Sequence, residues 1–107
     1  MLIKTGCDIV EIKRFQDVDL QSLKKIFHEN ELKNSKPETL AGIFAAKESC
    51  KKVFNLNWLD IEVKKKRNGK PVLILNDEKI NDKIIDYDLS VSHDGDYAIA
   101  VVVFMIK

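Results

Sequence analysis

The segment from Tyr97 to Ile106 is apolar on both faces of any strand it forms. Ala98, Ala100, Val102 and Phe104 fall on one side, and Ile99, Val101, Val103 and Met105 on the other. Such a strand has to be covered twice. A chain of 107 residues has little material for two layers over one strand. At this size roughly 60–70% of the unfolded surface is buried on folding, so association is a natural supplement. A second copy of the chain is therefore the expected cover. Asp94-Gly95 separates this segment from Leu89–His93 and predicts a type I′ hairpin.

The other elements follow from periodicity and turn chemistry. Leu2 to Ile12 alternates loosely and reads as a strand, with Gly6, Asp8, Val10 and Ile12 on one face. Leu20, Leu23, Ile26 and Phe27 have the spacing of a short amphipathic helix running to Leu32. Ser35-Lys36-Pro37-Glu38 predicts a capping box with Pro in the first turn, opening the longest helix, Pro37 to Phe54. On it Ile43, Ala46, Cys50, Val53 and Phe54 share one side. Ala41, Ala45, Glu48 and Lys52 lie nearly opposite, with room there for a ligand or a neighbouring chain. Asn68-Gly69 between Ile61–Val63 and Val72–Leu75 predicts a second hairpin. Asp77 to Ile85 is expected to form one or two helical turns with Ile80, Ile84 and Ile85 inward. The expectation is one α+β domain over residues 1–107: a small, mainly antiparallel sheet packed against one long helix and shorter helices.

Charge excludes some function classes. One third of the residues are charged, yet they cancel to a net +1, so no broad nucleic-acid-binding surface is expected. Cys7 and Cys50 lack metal or redox spacing and read as small apolar residues in a reducing compartment. Met1-Leu2-Ile3-Lys4 shows no signal segment and no apolar run spans a bilayer, so a cytoplasmic protein without membrane contact is expected.

Three positions carry candidate chemistry. Asp8 lies inside an apolar strand, where a lone carboxylate costs several kcal/mol or neutralises. It reads either as a polar residue at a bulge or as a ligand for a cation. Glu48 with Lys52 reads as a surface ion pair worth ~0.2–0.5 kcal/mol, or as a second metal carboxylate beside a phosphate-binding lysine. Magnesium suits two such acids, because it takes one or two protein carboxylates and completes its octahedron with waters and phosphate oxygens. Lys47, at the edge of the apolar face, either snorkels along it or turns toward the same phosphates. His93 reads as a turn histidine or, with Ser90 and Ser92, as a contact for phosphate or ribose oxygens. Ser92 and His93 are adjacent on a strand and point to opposite faces, which excludes a nucleophile–base pair. The basic run Lys64–Arg67 reads as a solvated hairpin arm. Lys13-Arg14 and Lys24-Lys25 are either solvated or a dock for an acidic partner.

Taken in order, Gly6-Cys7-Asp8-Ile9-Val10-Glu11-Ile12, Phe44-Ala45-Ala46-Lys47-Glu48-Ser49 with Lys52, and Ser90-Val91-Ser92-His93 resemble the signatures of holo-acyl-carrier-protein synthases, the small 4′-phosphopantetheinyl transferases. Phe27–Leu32, Asp60–Val63, Gly69-Lys70-Pro71 and Tyr97-Ala98 extend the resemblance along the whole chain. It implies an α+β trimer with sites at the subunit interfaces. It also implies Mg²⁺-dependent transfer of the phosphopantetheine arm of coenzyme A to a serine of an acidic apo-acyl-carrier protein, releasing adenosine 3′,5′-bisphosphate, in support of fatty acid biosynthesis. By position, Asp8 and Glu48 resemble the metal ligands and Lys52 the lysine on the coenzyme A phosphates. His93, with Ser92 beside it, resembles the contact to the nucleotide end, and Arg14, supported by Lys24 and Lys25, the carrier dock. A water held near Asp8 and Glu48 is the expected base.

Two departures stand out. The family's usual arginine before the Phe-Ala-Ala-Lys-Glu motif is Ile43, and its glycine-rich loop is the short Asn55-Leu56-Asn57-Trp58. They shift the expected phosphate contacts toward Lys47, Lys51 or the basic hairpin. They also motivate an alternative, a non-catalytic trimeric module that only binds the carrier protein.

Overall fold

Five strands form two antiparallel sheets in the computed structural model, which describes residues 1–107. Strands β1 (Leu2–Glu11), β4 (Ile84–Asp94) and β5 (Tyr97–Ile106) make the larger sheet in the order β1-β5-β4. The doubly apolar segment thus takes the central position, where both edges are paired. Asp8 faces Ala100 across the β1–β5 ladder, and Ser92 faces Ile99 across β4–β5. The β4–β5 connection is Gly95-Asp96, one residue later than the Asp94-Gly95 expectation, since Asp94 pairs with Tyr97. Gly95 alone has positive φ there (57°), which belongs to a glycine-first turn and not to type I′, where both central residues are left-handed.

Helix α3 (Pro37–Lys51) lies across β1 and β5. Pro37 starts it, but the Ser35–Glu38 capping box does not form: Lys36 is the cap, and the Ser35 hydroxyl donates to the Glu31 carbonyl. The alanine face expected to be open for a ligand or neighbour is instead fully buried against the chain's own sheet. Ala41 and Ala45 are 0% exposed, while Ile43, placed inward by periodicity, is half-buried. The reason is close approach. A Cβ on Gly6 would come within 2.0 Å of the Ser49 carbonyl oxygen, so the helix backbone crosses directly over a strand position that has no side chain. Ser49 ties the helix to the neighbouring β5, its hydroxyl 2.7 Å from the Ala45 carbonyl and 3.2 Å from that of Ala100.

The expected helix Leu20–Leu32 is broken into α1 (Leu20–Lys24) and α2 (Glu29–Leu32), and Leu20 stays exposed. Glu31 fixes the break. Its carboxylate accepts the His28 N–H and the Lys47 ammonium through Oε1, both at 2.7 Å, and the Val63 N–H through Oε2 at 2.8 Å. The second sheet is the hairpin of β2 (Ile61–Lys65) and β3 (Pro71–Leu75). Its loop runs 66–70, with Gly69 at φ 84° after Asn68. Helix α4 (Glu78–Lys83) is capped by Asp77, and Ile85 is exposed because Ile84 already begins β4. Phe15, Phe27 and Phe44 meet in the core, with centroids 5.7 and 5.3 Å from Phe15. The opposite face of the larger sheet carries Ile9, Ile99, Val101 and Val103, exposed by 37–62%.

Candidate active site

Glu48 and Lys52 occupy the last turn of α3 and its cap, and Asp8 lies beside them on β1. Because Gly6 lets the helix sit on the strand, the side chain two residues on emerges at the edge of that contact. Asp8 is partly buried there, its side chain 19% exposed. Lys52 reaches across to it, with Nζ 2.6 Å from the Cys7 carbonyl and 3.5 Å from Asp8 Oδ1. The Glu48–Lys52 surface pair is therefore not formed: the lysine belongs to the strand. Glu48 Oε1 instead accepts from the Trp58 indole N–H at 3.0 Å, which leaves Oε2 for a cation.

The donor set fits magnesium. No cluster of three or more His, Cys, Asp or Glu side chains exists to wrap an ion fully. Two carboxylates on apposed elements, one of them paired only with a half-exposed lysine, match an ion that keeps most of its ligands as water and phosphate.

Lys47 does not join them. Its side chain is fully buried and its ammonium donates to the Ile26 carbonyl (2.7 Å), Glu31 Oε1 (2.7 Å) and the Trp58 carbonyl (3.3 Å). All three protons are engaged, so the expected phosphate contact is corrected to a structural one. Burial pushes its pKa below the ordinary lysine value, and the Glu31 carboxylate pulls it partly back.

His93 lies elsewhere, in a groove of about 310 Å³ lined also by Gly42, Ile43, Lys65, Gly69 and Pro71. Its Nε2 is 2.9 Å from the Glu38 carbonyl, which can only accept, so Nε2 carries the proton and Nδ1 is free. Gly42 makes room for the ring: a Cβ there would sit 3.1 Å from Nε2. Ser92 points to the exposed opposite face of the sheet and does not enter this groove. Ile43, at the position of the family's usual arginine, is one wall, and Lys65 is the ammonium nearest in kind to replace it. From Gly42 to Lys52 is ten residues of helix, about 15 Å at 1.5 Å per residue. Within one chain the His93 groove and the Asp8–Lys52 contact are thus separate.

Arg14 stacks over Phe44, its guanidinium carbon 4.8 Å from the ring centroid, beside an open groove lined by Ile9, Lys13, Gln16 and Tyr97. Lys24 and Lys25 are exposed on and just after α1. The residue the sequence reading missed is Trp58. Its only signal was its place at the end of the short segment that stands where a glycine-rich loop was expected.

Comparison with known proteins gives the family. Residues 4–102 match the model of the 4′-phosphopantetheinyl transferase superfamily. A holo-[acyl-carrier-protein] synthase of Bacillus cereus is 39% identical over 96% of this chain and 95% of its own. One of Finegoldia magna is 33% identical over 100% and 99%. Among solved structures, the Helicobacter pylori holo-[acyl-carrier-protein] synthase in complex with coenzyme A superposes with a TM-score of 0.83 at 33% identity, covering 95% of this chain and 100% of that one.

Proposed function

The chain belongs to the 4′-phosphopantetheinyl transferase superfamily, and we propose from its site that it is a holo-acyl-carrier-protein synthase. It moves the phosphopantetheine arm of coenzyme A to a serine hydroxyl of an acidic apo-acyl-carrier protein. The serine hydroxyl gives its proton to a water held near Asp8 and Glu48, its oxygen forms a bond to the phosphorus carrying the arm, the pyrophosphate P–O bond breaks, and adenosine 3′,5′-bisphosphate leaves. The observation that carries this reading is the contact of Lys52 with Asp8 where α3 crosses β1, with Glu48 one turn earlier on the same helix.

Asp8 and Glu48 are the residues that hold Mg²⁺, which when bound supplies positive charge to the pyrophosphate and to the leaving phosphate. Lys52 swings from the Cys7 carbonyl to a phosphate oxygen, a small movement for a side chain that is 53% exposed. His93, held by Glu38 and Gly42, presents Nδ1 to the nucleotide end, and Lys65 supplies the charge absent at Ile43. Arg14, rigid on Phe44, with Lys24 and Lys25, steers the acidic carrier. With little covalent work for the protein, orientation and fixed charge dominate the acceleration.

A homotrimer completes the site. The exposed strip Ile9, Ile99, Val101 and Val103 is the apolar surface that copies cover. Assembly places the His93 groove of one copy beside the Asp8 and Glu48 of another, which accounts for two half-sites about 15 Å apart on one helix. The protein works in the cytoplasm, in fatty acid biosynthesis, and residues 1–107 form one domain.

The test is the mass of purified apo-acyl-carrier protein after incubation with this protein and coenzyme A, with and without Mg²⁺. The expected result is a gain of one phosphopantetheine that needs Mg²⁺ and is lost in Glu48→Gln with the fold intact. Binding of the carrier without any gain would favour the non-catalytic module, and full activity in Glu48→Gln would remove the metal role.

A further inference from the structure

The segment that replaces the expected glycine-rich loop brings an aromatic side chain back onto the helix it leaves. Helix α3 ends at Lys51, and by Trp58 the chain has turned into a 3₁₀ turn, Trp58–Asp60, whose start is fixed by the Asn57 N–H donating to Asp60 Oδ2 at 3.0 Å. Three further contacts immobilise Trp58. Its ring stacks on Phe44 (centroids 6.2 Å, planes 27° apart), and the Lys51 ammonium sits 3.5 Å from its centroid. Its carbonyl accepts from the buried Lys47, which is anchored to Glu31. These contacts fix the direction of the indole, and its single N–H donates to Glu48 Oε1, 3.0 Å away.

That contact has a particular chemistry. The indole N–H is a neutral donor that accepts nothing. It orders a flexible Glu side chain without cancelling its charge, whereas a lysine in the same place would compete with a cation for the carboxylate. Lys52 does not take that role, because it is directed to Cys7 and Asp8. We infer that Trp58 is a positioning residue that holds Glu48 in the orientation in which its free oxygen, Oε2, meets the divalent cation. The inference rests on the assignment of Glu48 as a metal ligand.

Mn²⁺ is the probe, because its free-ion paramagnetic resonance signal disappears on binding, and with coenzyme A present but no carrier protein there is no turnover. In Trp58→Phe, which keeps an aromatic ring against Phe44 but loses the donor, Mn²⁺ affinity should fall about tenfold or more, the usual effect of losing a partner that orients a metal ligand. The KM for coenzyme A at saturating metal should not change. Glu48→Gln should bind Mn²⁺ more weakly still. If Trp58→Phe binds Mn²⁺ as the unsubstituted protein does while Glu48→Gln is weakened, the positioning role is overturned and the metal site stands. If Glu48→Gln also binds normally, the metal assignment itself fails. A readout that needs no variant exists as well: Trp58 is the only tryptophan, so Mg²⁺ added with coenzyme A should change its emission. An unchanged emission at saturating Mg²⁺ would overturn the inference even if Trp58→Phe failed to fold.

Discussion

Replacing Glu31 by Gln should destabilise the protein more than any other single-charge change. The carboxylate and the Lys47 ammonium are both fully buried and 2.7 Å apart. Gln has one acceptor oxygen where Glu31 has two engaged ones, toward His28 and Lys47 and toward Val63. Whichever way the amide is turned, its NH₂ faces a donor, and Lys47 is left as a buried cation without an anionic partner. Breaking a buried pair from one side costs about 3–5 kcal/mol. A domain of this size has about 5–15 kcal/mol in total, so roughly a fifth of its stability or more is at risk. With a urea slope of about 1–3 kcal/mol per M, the unfolding midpoint should fall by roughly 1–5 M. The assay is urea unfolding followed by Trp58 emission, at one fixed protein concentration because association adds to apparent stability. The pH dependence has a defined sign. Burial holds Lys47 below its ordinary pKa and the Glu31 charge opposes that, so Glu31→Gln lowers it further. Between the lowered value and the ordinary lysine value of about 10.4 the unfolded chain binds more protons, and stability rises with pH. The deficit of Glu31→Gln should therefore shrink as pH is raised from 7 toward 10. The double replacement Glu31→Leu with Lys47→Met should cost much less than the sum of its parts. A loss under about 1 kcal/mol for Glu31→Gln, or simple additivity in the double variant, would refute the reasoning.

Gly6→Ala places a Cβ 2.0 Å from a helix carbonyl and should cost about 1–3 kcal/mol or more, read as a lower melting temperature. Because the helix must lift from β1, the same variant should also need more Mg²⁺ for half-maximal transfer. Burial pushes the Cys50 thiol up to about 12, so a thiol reagent at pH 8 should leave Cys50 unmodified until the protein is denatured, as intact-mass measurement would show. Val101→Glu puts a charge in the middle of the exposed apolar strip and should give monomers in sedimentation, with transfer activity lost together with assembly.

Local chemistry made much of this protein readable. The two hairpins and the long helix were visible because Gly-containing turns, a helix-starting Pro and unbroken apolar runs act within a few residues of where they stand. Asp8 was conspicuous because a carboxylate among strand-forming residues demands a partner. Its partner, Lys52, and the loss of the Glu48–Lys52 pair were not readable, since helical spacing makes that pair equally available and only the approach of β1 decides between them. Lys47 was misplaced for a related reason. Position on a helical wheel told which side the side chain leaves from, not that Glu31 would be folded inward to receive it.

The sequence by itself determined the element types, the family and the set of chemical groups, because these depend on residue identity, short-range sterics and order along the chain. The tertiary structure alone decided which side of α3 meets the sheet, with Gly6 admitting the helix backbone and the alanines following it down. It also decided that Trp58, not Lys52, holds Glu48, and that Asp8 and His93 stand at opposite ends of one helix. Those outcomes are contests between distant segments for the same few ångströms, settled by packing and hydrogen-bond satisfaction once the chain has closed on itself.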